Sequence, residues 1–289
     1  MNRALGVREA LDLVLRAAPV LPSEEVSCTE ALGRILQEEV RADTDHPPFD
    51  KSLMDGYAVI AADLTAAPRQ LRLLGEIPAG SDPARLRPLD PGHASRIMTG
   101  APLPPRSDAV LIVEETEPDP GDSGAVLAKS TLKSGANVAP RGSDVRQGEV
   151  LLKRGAFLGP AEIGVLAACG RTRIRVGRRP NLAVLATGDE LVEPGRTASP
   201  GQIRNSNGPL LLALARRAGA TARYLGIAGD RRDELHEAMV RGLEADILAL
   251  SGGVSMGAYD LVGETLRSLG VEILFERVAI KPGRPFTFG

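Results

Sequence analysis

Tryptophan is absent, and aromatic residues make up only 3% of the 289-residue chain. A base-stacking platform for single-stranded nucleic acid needs such rings at intervals, so the composition argues against one. An excess of charge of one sign is also lacking. Lys and Arg total 35 against 37 acids, for a net charge of -2, which gives no electrostatic case for nucleic acid as a partner. There are two cysteines, Cys28 and Cys169, and no C-x-x-C pair, so the spacing argues against a cysteine-rich structural zinc module. Cys169, inside the apolar run IGVLAACG, reads as a buried free thiol. The three histidines, His46, His93 and His236, are isolated in sequence and suggest no metal cluster. No apolar run is long enough to span a bilayer. The N-terminus, MNRALGVREALDLVL, breaks its apolar residues with charge, unlike a secretory leader. A reduced, cytoplasmic setting is expected, with no membrane partner.

A hydrophobic fraction of 43% is enough for ordinary cores, and the length suggests roughly two domains at about 150 residues each. Residues 7–17 carry a helical stripe of Val7, Leu11, Val14 and Leu15, closed by Pro19. Residues 26–41 suggest a second short helix around 31–36. Between 46 and 148 proline and glycine recur every few residues. That frequency rules out long helices and predicts a compact β-rich module with many turns. Residues 149–179, with a helix from about Pro160 to Ala168 and a strand over 173–176, join residues 20–45 in a linking layer. The N-terminal region is therefore 1–179. From 180 to 289 strands and helices alternate: strands at 182–186, 223–227, 246–250 and 271–275, helices at 209–217, 231–243 and 261–269. The pattern predicts an α/β domain with a doubly wound parallel sheet. The final residues, PFTFG, read as a strand that nothing covers.

In open α/β sheets ligands bind beyond the carboxyl ends of the strands. Two such ends stand out: TGDE at 187–190 and SGGVS at 251–255. Gly252 and Gly253 allow close approach of backbone N–H groups to an anion, and Ser251 and Ser255 add hydroxyls. The stretch reads as a phosphate cradle or as a plain tight turn. It is neither a Walker loop nor a dinucleotide fingerprint. Glu190, Asp230 and Asp260 follow the three strand ends. Carboxylates on one rim repel by about 1–4 kcal/mol per close pair, which makes sense beside Mg²⁺. Asp230, with Asp233 three residues on, also reads as a helix N-cap, and Asp260 reads the same way for the helix at Leu261. In AIKPGRP (279–285) Lys281 and Arg284 flank a Pro-Gly turn. They are placed to grip phosphates or an oxyanion, or else belong to a solvated loop. SLMDGYA (52–58) and RIMTGA (96–101) present Asp55 and Thr99 beside glycines, or are simply structural turns.

Taken in order, FDKSLMDGYA, RIMTGAP, RGSD, TGDEL, SGGVSMGAYD and AIKPGRPF resemble the molybdopterin molybdenumtransferase family. This is the MoeA-type family, related to the gephyrin E domain, and the resemblance runs over essentially the whole chain. It implies insertion of molybdate into adenylylated molybdopterin, with Mg²⁺ and release of AMP. It implies an elongated homodimer whose α/β domain faces the partner's β-rich domain across a shared cleft. Asp55, Thr99, Glu190, Asp230, Asp260, Lys281 and Arg284 would then be catalytic, and Asp144, Ser251, Gly252, Gly253 and Ser255 would hold the pterin ligand; metal ligands are not specified. A molybdopterin adenylyltransferase is a conceivable partner. Arg284 stands where the family often has a second Lys, which keeps the charge but replaces a point charge with a planar fork. Relatives continue beyond PFTFG through a Gly-Leu-Pro-Gly-Asn-Pro loop into a small C-terminal β domain, so the resemblance implies a C-terminally truncated member. The alternative is a non-catalytic molybdopterin-binding relative or fragment. The adenylyltransferase itself is disfavoured by the β-rich module around MDGY, 54–57.

Overall fold

A computed structural model of the chain describes residues 4–253 and 261–289. Two compact units emerge, and the chain passes between them more than once. Residues 38–154 and 160–172 form a β-rich unit, and residues 1–37, 155–159 and 173–289 form an α/β unit. The chain opens in the α/β unit with α1 (Val7–Ala17) and β1 (Ser23–Ser27).

The β-rich unit is built on β2 (Gly56–Val59), β3 (Arg69–Ile77), β4 (His93–Ile97), β5 (Ala109–Ile112), β6 (Thr116–Pro118) and β7 (Ala125–Ala128). They form one mixed sheet in the order β5-β2-β4-β3-β7-β6. Side chains alternate between its faces with the period of two that strands impose. Val59, Ala109 and Leu111 join Leu64, Leu71 and Val126 in one cluster. Ala58 and Val110 join Ile77 and Ile97 in another. The frequent prolines and glycines keep each strand short. α2 (Pro160–Ala168) starts on its proline and ends at Gly170, whose φ of 67° suits a helix C-terminus.

Back in the α/β unit, β8 (Arg173–Gly177) pairs antiparallel with β1. The helix expected around 31–36 does not form. Ser27 caps a single 3-10 turn at Cys28–Ala31, and Gly33 then takes a φ of 74°. Leu36 instead donates its N–H to the Ala156 carbonyl and bridges to Val176. Long-range pairing thus overrides local helix propensity. The buried Arg34 guanidinium fixes this corner, with Nη2 donating to the Gly177 carbonyl at 2.7 Å and pairing with Glu24. In α1 the sheltered residues are Ala10, Leu13 and Val14, which pack on Phe275 and Val278. Val7, Leu11 and Leu15 remain exposed.

The parallel sheet contains β9 (Asn181–Thr187), β10 (Thr221–Ala228) and β11 (Ile247–Ser251), in the order β10-β9-β11. The expected fourth parallel strand at 271–275 is not part of it. Instead β12 (Phe275–Arg277) and β13 (Pro285–Phe288) make an antiparallel hairpin. Phe275 stacks on both Phe286 and Phe288, so the terminal run that looked uncovered is paired. Three helices, α3 (Asn207–Arg217), α4 (Arg232–Gly242) and α5 (Leu261–Ser268), cover the sheet. Leu185 meets α4 and α5 through Leu235, Met239, Val262 and Leu266. Val184, one residue earlier and so on the other face, lies in register with Tyr224, whose ring lies against Gly208 of α3. Helices therefore cover both faces.

At the amino-terminal edge the Asp246 carboxylate takes Arg178 Nη1 at 2.9 Å, Arg178 Nη2 at 2.7 Å and the Asn181 N–H at 2.7 Å. The guanidinium first, and then the backbone bond, hold this acid down at about 2. The start of β9 is thereby tied to the start of β11.

Replacing the fully buried Leu185 with Ala removes methyl groups from between three elements. We expect Leu185→Ala to destabilise the α/β unit by about 2–5 kcal/mol. Amide hydrogen exchange of β9 under increasing urea checks this, and an unchanged opening free energy would contradict the packing.

Candidate functional site

β9 is the central strand, and its carboxyl end sits level with those of its neighbours. Thr187 is in register with Ala228 of β10, and Ala186 with Ser251 of β11. The chain leaves β9 toward α3 on one face and leaves β11 toward α5 on the other. This is a topological switch point, where open α/β sheets form their crevice. Residues 188–190, 229–230 and 252–253 all emerge at this edge.

Packing there is too tight for ordinary side chains. Gly252, with a φ of 100°, has no room for a Cβ, which would collide with the Thr187 carbonyl. A Cβ on Gly253 would collide with Val262 and lie 2.9 Å from the Thr187 hydroxyl. That hydroxyl is buried and has no hydrogen-bond partner among the described residues. A buried, unsatisfied hydroxyl beside two obligatory glycines marks the end of β11 as more than a turn. Asn207, in the first turn of α3, is 2.8 Å from Ser251 Oγ through its Nδ2 and holds that hydroxyl in place.

Three carboxylates, Asp189, Glu190 and Asp230, lie in the loops that leave β9 and β10 at this edge. Glu190 folds back over Gly188, with its carboxylate against the space a Cβ there would take. Asp189 Oδ1 accepts the Asp230 N–H at 3.0 Å, linking the loops after β9 and β10. Asp230 is not the N-cap of α4. Arg231 takes that position without a side-chain cap bond, and Asp230 is left exposed, tied through its N–H to Asp189.

Sequence reasoning missed the groups that brace this edge. Asn205 Nδ2 donates to the Tyr224 hydroxyl at 2.7 Å, Tyr224 donates to Glu193 Oε1 at 3.1 Å, and the Gly208 N–H donates to Asn205 Oδ1 at 2.9 Å. Asn205 is 2% exposed. The chain joins the loop after β9 to β10 and to the start of α3. No spacing in the sequence announces it; the only signal is a pair of asparagines, Asn205 and Asn207, at the start of a helix.

The remaining candidates lie elsewhere. In the β-rich unit, Asp55 Oδ1 accepts the Thr99 N–H at 2.7 Å and the Thr99 hydroxyl at 2.9 Å. These bonds, backbone first, hold the Asp55 carboxyl below its usual range. The two glycine-flanked stretches singled out in the sequence thus meet in one exposed acid–hydroxyl pair. Asp144 lies in a loop whose N–H donates to the His46 carbonyl at 3.0 Å, and the Ser143 hydroxyl reaches its carboxylate at 3.2 Å. Lys281 and Arg284 are exposed on the loop joining β12 to β13, which closes through the Val278 N–H on the Arg284 carbonyl at 3.0 Å. Among the described residues neither cation makes an ion pair. Ser255 and Asp260 lie outside the described residues.

The Tyr224 phenol is pushed up to about 12, by burial first and then by Glu193. An unfolded tyrosine ionises near 10, so the folded chain keeps a proton that the unfolded chain gives up. The stabilisation is complete below about pH 10 and is lost as the pH rises toward 12. The stability difference between the wild type and Tyr224→Phe should be constant up to about pH 10 and shrink above it. Urea titrations at stepped pH, with ultraviolet tyrosinate absorbance, check this; a phenol ionising near 10 would contradict the network.

Comparison with known proteins agrees with this architecture. Residues 5–170 match the family model described as MoeA N-terminal region (domain I and II), and residues 183–289 match the one described as probable molybdopterin binding domain. A molybdopterin molybdenumtransferase of Nostoc sp. is 38% identical over 291 residues, covering 98% of this chain and 66% of the relative. Those of Bacillus subtilis and Staphylococcus epidermidis are 36% and 34% identical, each covering 96% of this chain and 66% and 67% of the relative. The chain thus spans about two thirds of the length of these relatives. Two solved structures of a molybdopterin biosynthesis MoeA protein from Pyrococcus horikoshii superpose with TM-scores of 0.79 and 0.85 at 33% and 29% identity. They cover 99% of this chain and 71% and 72% of theirs. With both halves matched in order, the chain belongs to the MoeA family of molybdopterin molybdenumtransferases.

Proposed function

We propose that this chain performs the transferase step of molybdenum cofactor biosynthesis. It takes adenylylated molybdopterin and molybdate, joins the metal oxyanion to the pterin's dithiolene and releases AMP. The observation that carries this reading is the edge of the parallel sheet. An obligatory glycine pair, a buried hydroxyl with no partner among the described residues, and three loop carboxylates all emerge at that edge, in a chain whose relatives are named for this activity.

Both substrates are anions, so their approach is opposed unless cations intervene. Lys281 and Arg284 supply fixed positive charge for phosphate and oxyanion. The exposed oxygens of Asp189, Glu190 and Asp230 are the hard donor set that Mg²⁺ takes. When bound, Mg²⁺ neutralises charge on the phosphoanhydride being cleaved. Gly252, Gly253 and Ser251 receive the pterin phosphate, because glycine lets an anion approach the backbone closely. The family resemblance also assigns Ser255 to ligand binding and Asp260 to catalysis. Asp144 contributes to ligand binding, and the Asp55–Thr99 pair orients a substrate oxygen through an acid kept ionised. The setting is cytoplasmic; no helix among the described residues is long and apolar enough to cross a membrane.

The purified chain, given adenylylated molybdopterin, Mg²⁺ and molybdate, should release AMP only when molybdate is present. Glu190→Gln and Lys281→Ala should each lower that rate about 100-fold or more, the scale for losing one electrostatic contact to the reacting centre. Chromatographic quantification of AMP checks this. Tight pterin binding with no AMP release would establish the non-catalytic binding relative instead.

The assembly is a homodimer in which Asp55 of one copy serves the site that holds Glu190 of the other, a reading that rests on the family resemblance. Asp55→Ala and Glu190→Ala chains, each inactive alone, should regain activity when mixed and allowed to exchange. One of the two sites in each mixed dimer would then be wild type. Failure of a confirmed mixed dimer to release AMP would show that each site is built within one subunit.

A further inference from the structure

The isolated histidines of the sequence conceal a cluster. In the β-rich unit the ligand atoms of Asp43, His46 and Cys169 all lie within 4.8 Å of one another. The three arrive from two places. Asp43 and His46 belong to a loop whose backbone is pinned by His46 pairing with Val145, and by Gln147 Nε2 donating to the Asp43 carbonyl at 3.0 Å. Cys169 follows α2 directly, and its N–H still donates to the Val165 carbonyl at 3.1 Å. The thiol is 4% exposed. His46 Nε2 is buried and has no hydrogen-bond partner among the described residues, a state that a ring nitrogen rarely keeps without cause.

We propose that Asp43, His46 and Cys169 form a binding site for a zinc-class divalent cation within the β-rich unit. One thiolate, one imidazole nitrogen and one carboxylate oxygen match the donors that Zn²⁺ takes, and the thiolate selects against Mg²⁺ and Ca²⁺. Tetrahedral bonds of about 2.0–2.3 Å require ligand atoms about 3.3–3.8 Å apart. Closing from the present spacing needs a shift of about 1 Å, which the exposed Asp43 side chain can supply. The same exposed side leaves a fourth position to water. Binding displaces the thiol proton to solvent and leaves the neutral imidazole as ligand. The ion would tie the end of α2 to the loop at 43–46, and it would give the orphan His46 nitrogen its partner.

Co²⁺ tests the site on the whole chain, because it occupies zinc sites and reports its ligands by colour. After treatment with a chelator, the chain should bind one equivalent of Co²⁺. A thiolate-to-metal band should appear in the near ultraviolet with tetrahedral bands in the visible, and Zn²⁺ should bleach both. Cys28→Ser should keep the thiolate band and Cys169→Ser should lose it. Asp43→Asn and His46→Gln should each weaken binding tenfold or more. Absence of any thiolate band in the unaltered chain at saturating Co²⁺ would overturn the proposal without recourse to variants. A band that survives in Cys169→Ser would overturn it too.

Discussion

The register of β9 between β10 and β11 is the constraint from which the site follows. Parallel pairing sets Thr187 level with Ala228 and Ala186 level with Ser251. The Asp246 fork with Arg178 and Asn181 sets the opposite ends level too. A slip of one residue in β9 would exchange Val184 and Leu185 between faces. It would also carry Thr187 away from the glycine pair. Burial of both faces makes such a slip expensive, so apolar packing at the strand's middle decides where the polar groups at its tip can stand.

That tip accumulates like charge. Asp189, Glu190 and Asp230 are exposed, and nearby carboxylates repel by about 1–4 kcal/mol per close pair in a high-dielectric surface setting. The protein tolerates this through local bonds: the Asp230 N–H on Asp189, and the Gly229 N–H on Glu234 at 3.2 Å. These bonds fix the loops but leave carboxylate oxygens facing outward. On the proposed function such an edge would take a hard cation, which would turn repulsion into coordination. The Asp55–Thr99 pair uses a different device. There two donors on one oxygen favour the ionised acid without any metal.

Much of this was legible in the sequence, because strands and helices announce themselves by period and by their end signals. Pro160 and the glycine at 170 framed α2, and the alternation after 180 gave the order of β9, β10 and β11. Glu190, Asp230, Ser251, Gly252 and Gly253 could be placed together because the strand ends they follow share one edge. The glycine-flanked Asp55 and Thr99 were likewise visible, though not that they bond each other. What failed did so for reasons of tertiary structure. The run at 31–36 has helical propensity but finds better partners in Ala156 and Val176. The strand expected at 271–275 shifted because three phenylalanines stack across a hairpin. The Asn205–Tyr224–Glu193 chain and the Asp43–His46–Cys169 cluster join residues far apart in sequence, where spacing carries no information.

The glycines sharpen this distinction. Many have positive φ with open space around the missing Cβ, as Gly80, Gly92 and Gly135 do. They serve the turn alone, and their neighbours need carry no chemistry. Gly56, Gly252 and Gly253 are of another kind, because a Cβ there would strike backbone or a packed side chain. At Gly56 the obstacle is the Leu111 carbonyl, and the close approach of β2 to β5 sets the position from which Asp55 reaches Thr99. At Gly252 the obstacle is Thr187, and the close approach sets Ser251 beside Asn207. A glycine required by packing constrains its neighbour's backbone, and a preorganised polar group must be held to within about 0.5 Å. Sequence shows only that glycine is present; the surrounding backbone shows which kind it is.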